Sequence, residues 1–106
     1  MECWLEGKRL KEYPKRGSSK VRVGIRREQN VWASQRHRAG GLVIVWARVP
    51  DGWALFSGHD EIDEAYHGIP LAIWQDKVEI LPSARECAAT IRLLMEGHYG
   101  RIEGVT

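Results

Sequence analysis

The order of apolar and polar positions along the chain predicts short strands and helices that alternate. Residues 2–10 predict a strand, and residues 13–19 predict a loop, because Pro14, Gly17 and two serines are typical of turns. Residues 42–47 form a continuous run rich in β-branched side chains, which predicts a strand covered on both faces. A turn at residues 50–52 then predicts that residues 53–56 return beside that strand as a hairpin.

The segment between these strands predicts a helix. Residues 20–23 alternate polar and apolar side chains, which indicates a short strand or an extended approach to the helix. Residues 26–39 contain no helix breaker, and Gly40 and Gly41 end the helix by allowing a positive φ. The predicted apolar side of this helix is formed by Val31, Trp32, Gln35 and Ala39. Its predicted basic and solvated side is formed by Arg26, Arg27, Asn30, His37 and Arg38.

The remainder of the chain predicts two more helices and a second hairpin. Residues 60–66 are acidic at their start, as the N-terminus of a helix prefers. Residues 71–74 and 78–81 flank a polar triplet and predict a small hairpin. Residues 83–86 form a capping box, and the helix that they begin is predicted to end at Gly97. Its apolar stripe places Cys87 in the core as a packing residue.

Length and composition place the chain among ordinary globular proteins. The 106 residues predict a single domain, 1–106, of α/β (α+β) class, with a single small mixed sheet and helices packed on it. The longest apolar run is too short to span a bilayer, and no segment has the pattern of a signal peptide. Cys3 and Cys87 are too few and too far apart for a disulfide framework. We therefore expect a cytoplasmic protein with no membrane partner.

The net charge of +2 conceals an uneven distribution. Residues 1–40 carry eleven Lys and Arg against four Glu, a net charge of +7, whereas residues 41–106 carry five against ten acidic residues, a net charge of −5. This asymmetry indicates a polyanionic partner for the first half, or a basic face that the monomer simply exposes to solvent. The candidate phosphate-contacting residues are Lys11, Lys15, Arg16, Lys20, Arg22, Arg26, Arg27, Arg36 and Arg38.

Glu6 and Lys8 are the residues with the clearest chemical potential. Alternate side chains of a strand point to the same face, so these two project together, about 6–7 Å apart along the chain. A carboxylate beside an ammonium group can hold a divalent cation and orient a water molecule near it. Glu-x-Lys also occurs by chance on many solvated strand edges, so its context decides its value.

That context resembles a known nuclease superfamily. The sequence Trp-Leu-Glu-x-Lys is followed by a loop with Pro14, by Val21-Arg22, by Gln29-x-x-Trp32 and by Ala39-Gly40-Gly41 before an apolar strand. This order over residues 4–58 resembles the later part of PD-(D/E)XK, restriction-endonuclease-like nucleases, and in particular the compact resolvase-like and VRR-NUC-like members of phages and mobile elements. The resemblance implies half of that core fold, with Glu6 as a ligand of Mg²⁺, Lys8 orienting water or phosphate, and Gln29 supporting the site.

One departure from that family concerns the metal site. The family takes a second ligand from an Asp on a strand that precedes the Glu-x-Lys strand, and only five residues precede Glu6 in this sequence. A second carboxylate from Glu2, from Asp51 or from another subunit is one explanation. A fragment of a longer nuclease and a non-catalytic binding module are the others. Glu2 lies about 13 Å from Glu6 along an extended strand, which is too far to share one ion easily.

Two other sets of residues are weaker candidates. His59 with Asp60, Asp63 and Glu64 has metal-ligand chemistry, but acidic residues in a first helical turn are routine capping. Among the five Trp, Trp46 and Trp53 are predicted to be core residues, Trp4 and Trp32 are predicted to pack the strand against the helix, and Trp74 is left as a base-stacking candidate.

These observations lead to two hypotheses. The first is a nuclease-like domain that binds nucleic acid, with DNA favoured, and that cleaves phosphodiesters with Mg²⁺ when a second carboxylate is supplied. The second is a small non-catalytic interaction protein of a mobile element, whose acidic half contacts its own or another basic half, with a homodimer as one such form.

Overall fold

The computed structural model describes residues 3–104, and the side chains of residues 3–98. The fold is α+β, as the sequence predicts. In chain order the elements are β1 (Cys3–Arg9), β2 (Lys20–Val21), α1 (Arg27–Arg38), β3 (Leu42–Val49), β4 (Gly52–Ser57), α2 (Gly58–His67), β5 (Ile69–Pro70), α3 (Leu71–Lys77) and α4 (Ala84–Gly104).

A three-stranded mixed sheet in the order β1–β3–β4 positions the candidate site. β1 runs parallel to β3, so that Glu6 lies beside Val45 and Lys8 beside Ala47. Parallel neighbours require a crossover connection, which α1 supplies. β4 returns antiparallel to β3 and forms the predicted hairpin. Within the described residues, the edge of β1 that faces away from β3 pairs with no strand. A second, two-stranded sheet pairs β2 with β5.

The main core lies on the sheet face that carries Glu6 and Lys8. Val43, Val45 and Ala47 of β3 are fully buried there, because α1 and α2 pack over them. Ile44 points to the opposite face and is also fully buried, on the side where α4 packs against β3 and β4. The prediction that residues 42–47 are covered on both faces is therefore confirmed.

The predicted faces of α1 are corrected by the structure. Val31 is 48% exposed, and Gln35 and Ala39 are also exposed, whereas the buried residues are Asn30 and Ala33. Asn30 is buried against α2, where its Nδ2 donates to Asp63 Oδ1 across 2.9 Å, while its Oδ1 accepts no hydrogen bond from the described residues. Because a polar residue lies in that interface, the pattern of apolar residues in the sequence indicates the wrong buried face of α1.

The second predicted hairpin does not form. Residues 71–77 are α3, because Leu71, Trp74 and Val78 follow a helical spacing and Trp74 is only 2% exposed. Residues 69–70 pair with β2, and Leu81 makes an isolated antiparallel bridge to Trp53. Trp74 is therefore a core residue and does not offer a free ring for base stacking.

Of the remaining predictions for tryptophan residues, one pair is confirmed and the other is corrected. Trp4 packs edge-on against Trp32 of α1, with ring centroids 4.5 Å apart, so these two join strand and helix as predicted. Trp46 and Trp53 are only half-buried and lie outside the main core, which corrects their assignment. The guanidinium of Arg48 lies over the Trp53 ring, 5.2 Å from its centroid.

The last helix starts where predicted and extends further. The Glu86 backbone N–H donates to Ser83 Oγ across 3.2 Å, and Cys87 is buried on the apolar stripe. Helix α4 continues through Gly97, because one glycine in a helix interior costs only about 1 kcal/mol and does not by itself end the helix. His98 Nε2 also lies 3.0 Å from the carbonyl oxygen of Gly40. In the part of the chain described, no helix has both the length and the apolar character to cross a membrane.

Candidate functional site

Glu6, Lys8 and Gln29 form one cluster at the edge of the sheet. Gln29 Nε2 donates to Glu6 Oε1 across 3.1 Å, and Lys8 Nζ lies 3.6 Å from the same oxygen. Glu6 and Lys8 share a face of β1, as strand alternation predicts, and Gln29 reaches them from the first turn of α1. The three residues that the sequence identified are therefore brought together by the fold.

Gln29 is held in place by the start of its own helix. Its Oε1 accepts a hydrogen bond from the backbone N–H of Arg26, the N-cap residue, across 3.0 Å. This is the back-reaching half of a capping box, in which a Glu or Gln three residues after the N-cap satisfies the N-cap amide. Because the amide oxygen is engaged with Arg26, the amide nitrogen is turned toward Glu6.

The cluster is partly shielded from solvent. The side chain of Lys8 is 14% exposed and that of Glu6 is 31% exposed. Partial burial lowers the effective dielectric constant, so the attraction between these charges is stronger than that of a fully exposed pair. Glu6 Oε2 makes no hydrogen bond within residues 3–98 and is the atom left to meet a ligand.

The described residues of the cluster supply one of the two carboxylates that the resemblance implies for a magnesium site. Mg²⁺ is usually held by one or two carboxylates together with water and substrate phosphate. Here Glu6 is the one carboxylate of the cluster, its Oε1 already faces the Lys8 ammonium group, and the Gln29 oxygen is used by Arg26. No group of three or more potential His, Cys, Asp or Glu ligands occurs among the described residues, which includes the segment around His59.

Asp51 does not supply the second carboxylate in this structure. Glu6 lies level with Val45, six residues before Asp51, so the two are about 20 Å apart along the strand direction. Asp51 is engaged elsewhere, since it accepts a hydrogen bond from the Tyr13 hydroxyl across 2.5 Å. Glu2, the other carboxylate considered, lies outside the described residues.

The nine predicted phosphate-contacting residues do not form one patch. All of them are exposed except Arg36, which is half-buried with its guanidinium 5.3 Å from the centroid of the Trp32 ring. Arg26 and Arg27 lie at the start of α1, next to Gln29, whereas Arg36 and Arg38 lie in its last turn. Arg27 and Arg38 are eleven positions apart on the helix, a rise of about 16 Å. Of the four cations of α1 and its N-cap, Arg26 and Arg27 are therefore the two that lie beside Gln29.

Two polar groupings were not identified from the sequence. The Tyr13 hydroxyl links Asp51 to the buried Trp74, whose Nε1 donates to it across 3.3 Å. The second grouping lies at the end of α2, where Tyr66 and His67 line a cleft with Lys20 and Arg22. Both depend on contacts between residues at least 38 positions apart, and no local pattern in the sequence relates such residues.

Comparisons with protein-family models, with curated proteins and with solved structures found no match for this chain.

Proposed function

We propose that this chain is a nucleic-acid-binding domain of nuclease-like architecture, and that Glu6, Lys8 and Gln29 form the part of it that faces a phosphodiester. The observation that carries the proposal is the convergence of these three side chains from β1 and α1 on one oxygen of Glu6. A carboxylate, an ammonium group and an amide at the edge of a sheet are suited to orient a phosphate and a water molecule.

The start of α1 favours a nucleic-acid strand at this place. Arg26 and Arg27 are exposed there, and the N-terminus of a helix carries a partial positive charge that attracts phosphate. Lys15 and Arg16 are exposed on the loop that leads toward the helix, within the same positively charged half of the chain. A DNA backbone would meet Arg26 and Arg27 beside Gln29, whereas Lys15 and Arg16 lie on the loop that bonds to the start of α3.

Phosphodiester hydrolysis is proposed for this domain only when a second carboxylate joins Glu6. With one carboxylate the cluster binds and orients phosphate, while a divalent cation lacks the second carboxylate that the resemblance implies. In this form of the proposal, Mg²⁺ belongs to an assembly that adds the missing ligand, and the chain alone supplies nucleic-acid binding.

Cleavage and binding assays test the two parts separately. Single-stranded and duplex DNA are incubated with the protein with and without Mg²⁺ or Mn²⁺, alongside Glu6→Ala, Lys8→Ala and the control Glu96→Ala, which removes an exposed carboxylate of α4. Metal-dependent cleavage lost in Glu6→Ala but kept in Glu96→Ala supports hydrolysis. DNA binding without cleavage supports the binding domain alone. A parent protein that neither binds nor cleaves contradicts the proposal.

The unpaired edge of β1 favours a second candidate, a non-catalytic homodimer. An antiparallel pairing of two β1 strands centred on Gly7 would place Glu6 of each copy opposite Lys8 of the other. Sedimentation of the parent, of Lys8→Glu and of the exchanged Glu6→Lys/Lys8→Glu protein tests this arrangement. A dimer that is lost in the single variant and regained in the exchanged one supports it. A monomer at all concentrations contradicts it.

A further inference from the structure

A cleft of about 320 Å³ lies between the segment that follows β2 and the end of α2, and it shares no residue with the Glu6 cluster. Four of its lining residues carry polar or charged groups that could meet a ligand, and none of the lining residues is acidic. The residues that line it are Lys20, Arg22, Gly24, Ile25, Tyr66 and His67.

The two cations are directed outward by an alternating pattern. Val21 and Val23 are 1% and 2% exposed, so they anchor the segment to the core, while Lys20 and Arg22 are exposed. Pairing of β2 with β5 holds this segment beside the end of α2. The extended segment therefore places the two side chains on one side, with their Cα atoms about 6–7 Å apart.

Close packing against Gly68 fixes the positions of the first side-chain carbons of Lys20 and Arg22. A Cβ placed on Gly68 would lie 3.0 Å from both Arg22 Cγ and Lys20 Cβ, so the glycine leaves the space that the two stems occupy. Gly68 also has φ +93°, a conformation that other residues adopt only with strain. Position 68 therefore lets α2 end directly under Lys20 and Arg22.

The polar groups in the cleft are available to a ligand. Neither Lys20 nor Arg22 makes a side-chain hydrogen bond or ion pair within residues 3–98, and the Tyr66 hydroxyl makes none either. His67 Nδ1 lies 2.9 Å from the carbonyl oxygen of Asp63, which leaves Nε2 as its other polar atom. The nearby carboxylate of Asp63 accepts from Asn30 and lies 3.5 Å from His67 Nδ1.

We propose that this cleft binds a phosphate group, with Lys20 and Arg22 as the charged contacts and the Tyr66 hydroxyl as a further donor. Arginine offers a planar set of donors that matches phosphate oxygens, and a second cation without a carboxylate partner adds to the attraction. The proposal rests on the proposed function only in assigning the phosphate to a nucleic-acid strand. A free phosphate has the same chemistry and is distinguished by experiment.

Backbone amide NMR shifts and oligonucleotide affinity distinguish free phosphate from the phosphate of a nucleic-acid strand. Sodium phosphate is titrated at constant ionic strength into the parent, into Lys20→Ala/Arg22→Ala and into Arg85→Ala/Arg92→Ala, a control that removes two exposed cations of α4. The parent is expected to show saturable shifts at Gly24, Tyr66, His67 and Gly68 that only the control retains. Affinity for a single-stranded oligonucleotide is expected to fall at least tenfold in the cleft variant and less than twofold in the control.

The possible outcomes test the phosphate-binding cleft and the proposed function independently. Saturable phosphate shifts together with a selective loss of oligonucleotide affinity support a nucleic-acid phosphate as the ligand. Saturable shifts in a protein that binds no oligonucleotide support the cleft with free phosphate and contradict the proposed function. An oligonucleotide that binds the cleft variant as well as the control, without phosphate shifts in the parent, overturns the cleft and leaves the proposed function standing.

Discussion

Gln29 Nε2 donates a hydrogen bond to Glu6 Oε1 across 3.1 Å, and these two residues are 23 positions apart in the chain. The same Gln29 side chain accepts from the backbone of Arg26, so one amide group ties the start of α1 to the edge strand β1. The candidate site and the start of the helix are therefore one structural unit. A change at Gln29 is expected to affect the stability of the fold and the chemistry at Glu6 together.

Replacing Gln29 by Glu tests whether the cluster lacks only a carboxylate. The Gln29→Glu protein places a second carboxylate within reach of Glu6, so it should be less stable without metal because two like charges then face each other. Mn²⁺ or Mg²⁺ should restore its stability, by about 1.4 kcal/mol at ten times the dissociation constant. Thermal unfolding with and without metal is the measurement.

The matched control for that experiment is Gln35→Glu, an exposed position on the same helix. Its unfolding should respond to metal no more than the parent does. An equal metal response in both variants would show that the second carboxylate acts nonspecifically and that Glu6 is not its partner.

Tyr13→Phe should destabilise the fold by about 1–3 kcal/mol. Burial and the neighbouring Asp51 raise the pKa of Tyr13 to about 12, so the hydroxyl remains protonated and donates to Asp51 over the whole neutral range. Removing it leaves Trp74 Nε1 without its acceptor in a buried position, and such a loss costs roughly that amount. Urea unfolding followed by Trp fluorescence measures the change, and Asp51→Asn, at an exposed position, should cost less.

Glu61→Gln should stabilise the protein at pH 7 and leave it unchanged at pH 3. Partial burial, with the neighbouring Glu64, raises the pKa of Glu61 above its ordinary value of 4.5. The folded state then holds the proton more tightly than the unfolded state does, so stability falls as pH rises from about 4 through the folded pKa. The gain is expected within about 0.5 kcal/mol because the residue is largely exposed. Unfolding at both pH values, with Glu96→Gln as the control, tests the sign.

Gly97→Ala and Gly40→Ala should change stability in opposite directions. A Cβ at either position meets nothing within 4 Å, so only the backbone differs between them. Gly97 lies inside helix α4, where Ala is favoured by about 0.5–1 kcal/mol. Gly40 has φ +86° after α1, where a side chain is strained. Paired urea unfolding curves that move in the same direction would contradict this explanation.

The sequence predicts the fold best where one local pattern decides the structure. The apolar run of β3 and the hairpin with β4 are confirmed, and of the Ser83 capping box the structure shows the hydrogen bond from the Glu86 backbone N–H to Ser83 Oγ. The predicted buried face of α1 is wrong because Asn30 packs against α2, where its Nδ2 donates to Asp63, a partner 33 positions away. The sequence predicts a hairpin of residues 71–74 and 78–81 because a short apolar segment suits a strand or a buried helix equally well, whereas residues 71–77 form helix α3.

The candidate site, too, is predicted where a local pattern decides the structure and missed where distant residues decide it. Strand alternation is enough to place Glu6 beside Lys8, and the resemblance to PD-(D/E)XK nucleases implies Gln29, which the structure places beside them. Neither strand alternation nor the resemblance identifies a second carboxylate beside Glu6 in this chain. The cleft formed by Lys20, Arg22, Tyr66 and His67 was missed because a β2–β5 pairing across 48 positions creates it.

The most direct test of the central claim is the salt dependence of oligonucleotide binding by the parent protein. Fluorescence anisotropy with a labelled single strand at several salt concentrations gives the slope of log affinity against log salt. Binding through phosphates predicts a slope of about −0.7 for each phosphate contact, so four contacts predict about −3. The slope should be less steep in Arg26→Ala/Arg27→Ala, which removes the cations beside the Glu6 cluster, than in Arg85→Ala/Arg92→Ala. Binding that is absent, or that does not change with salt, would contradict the account.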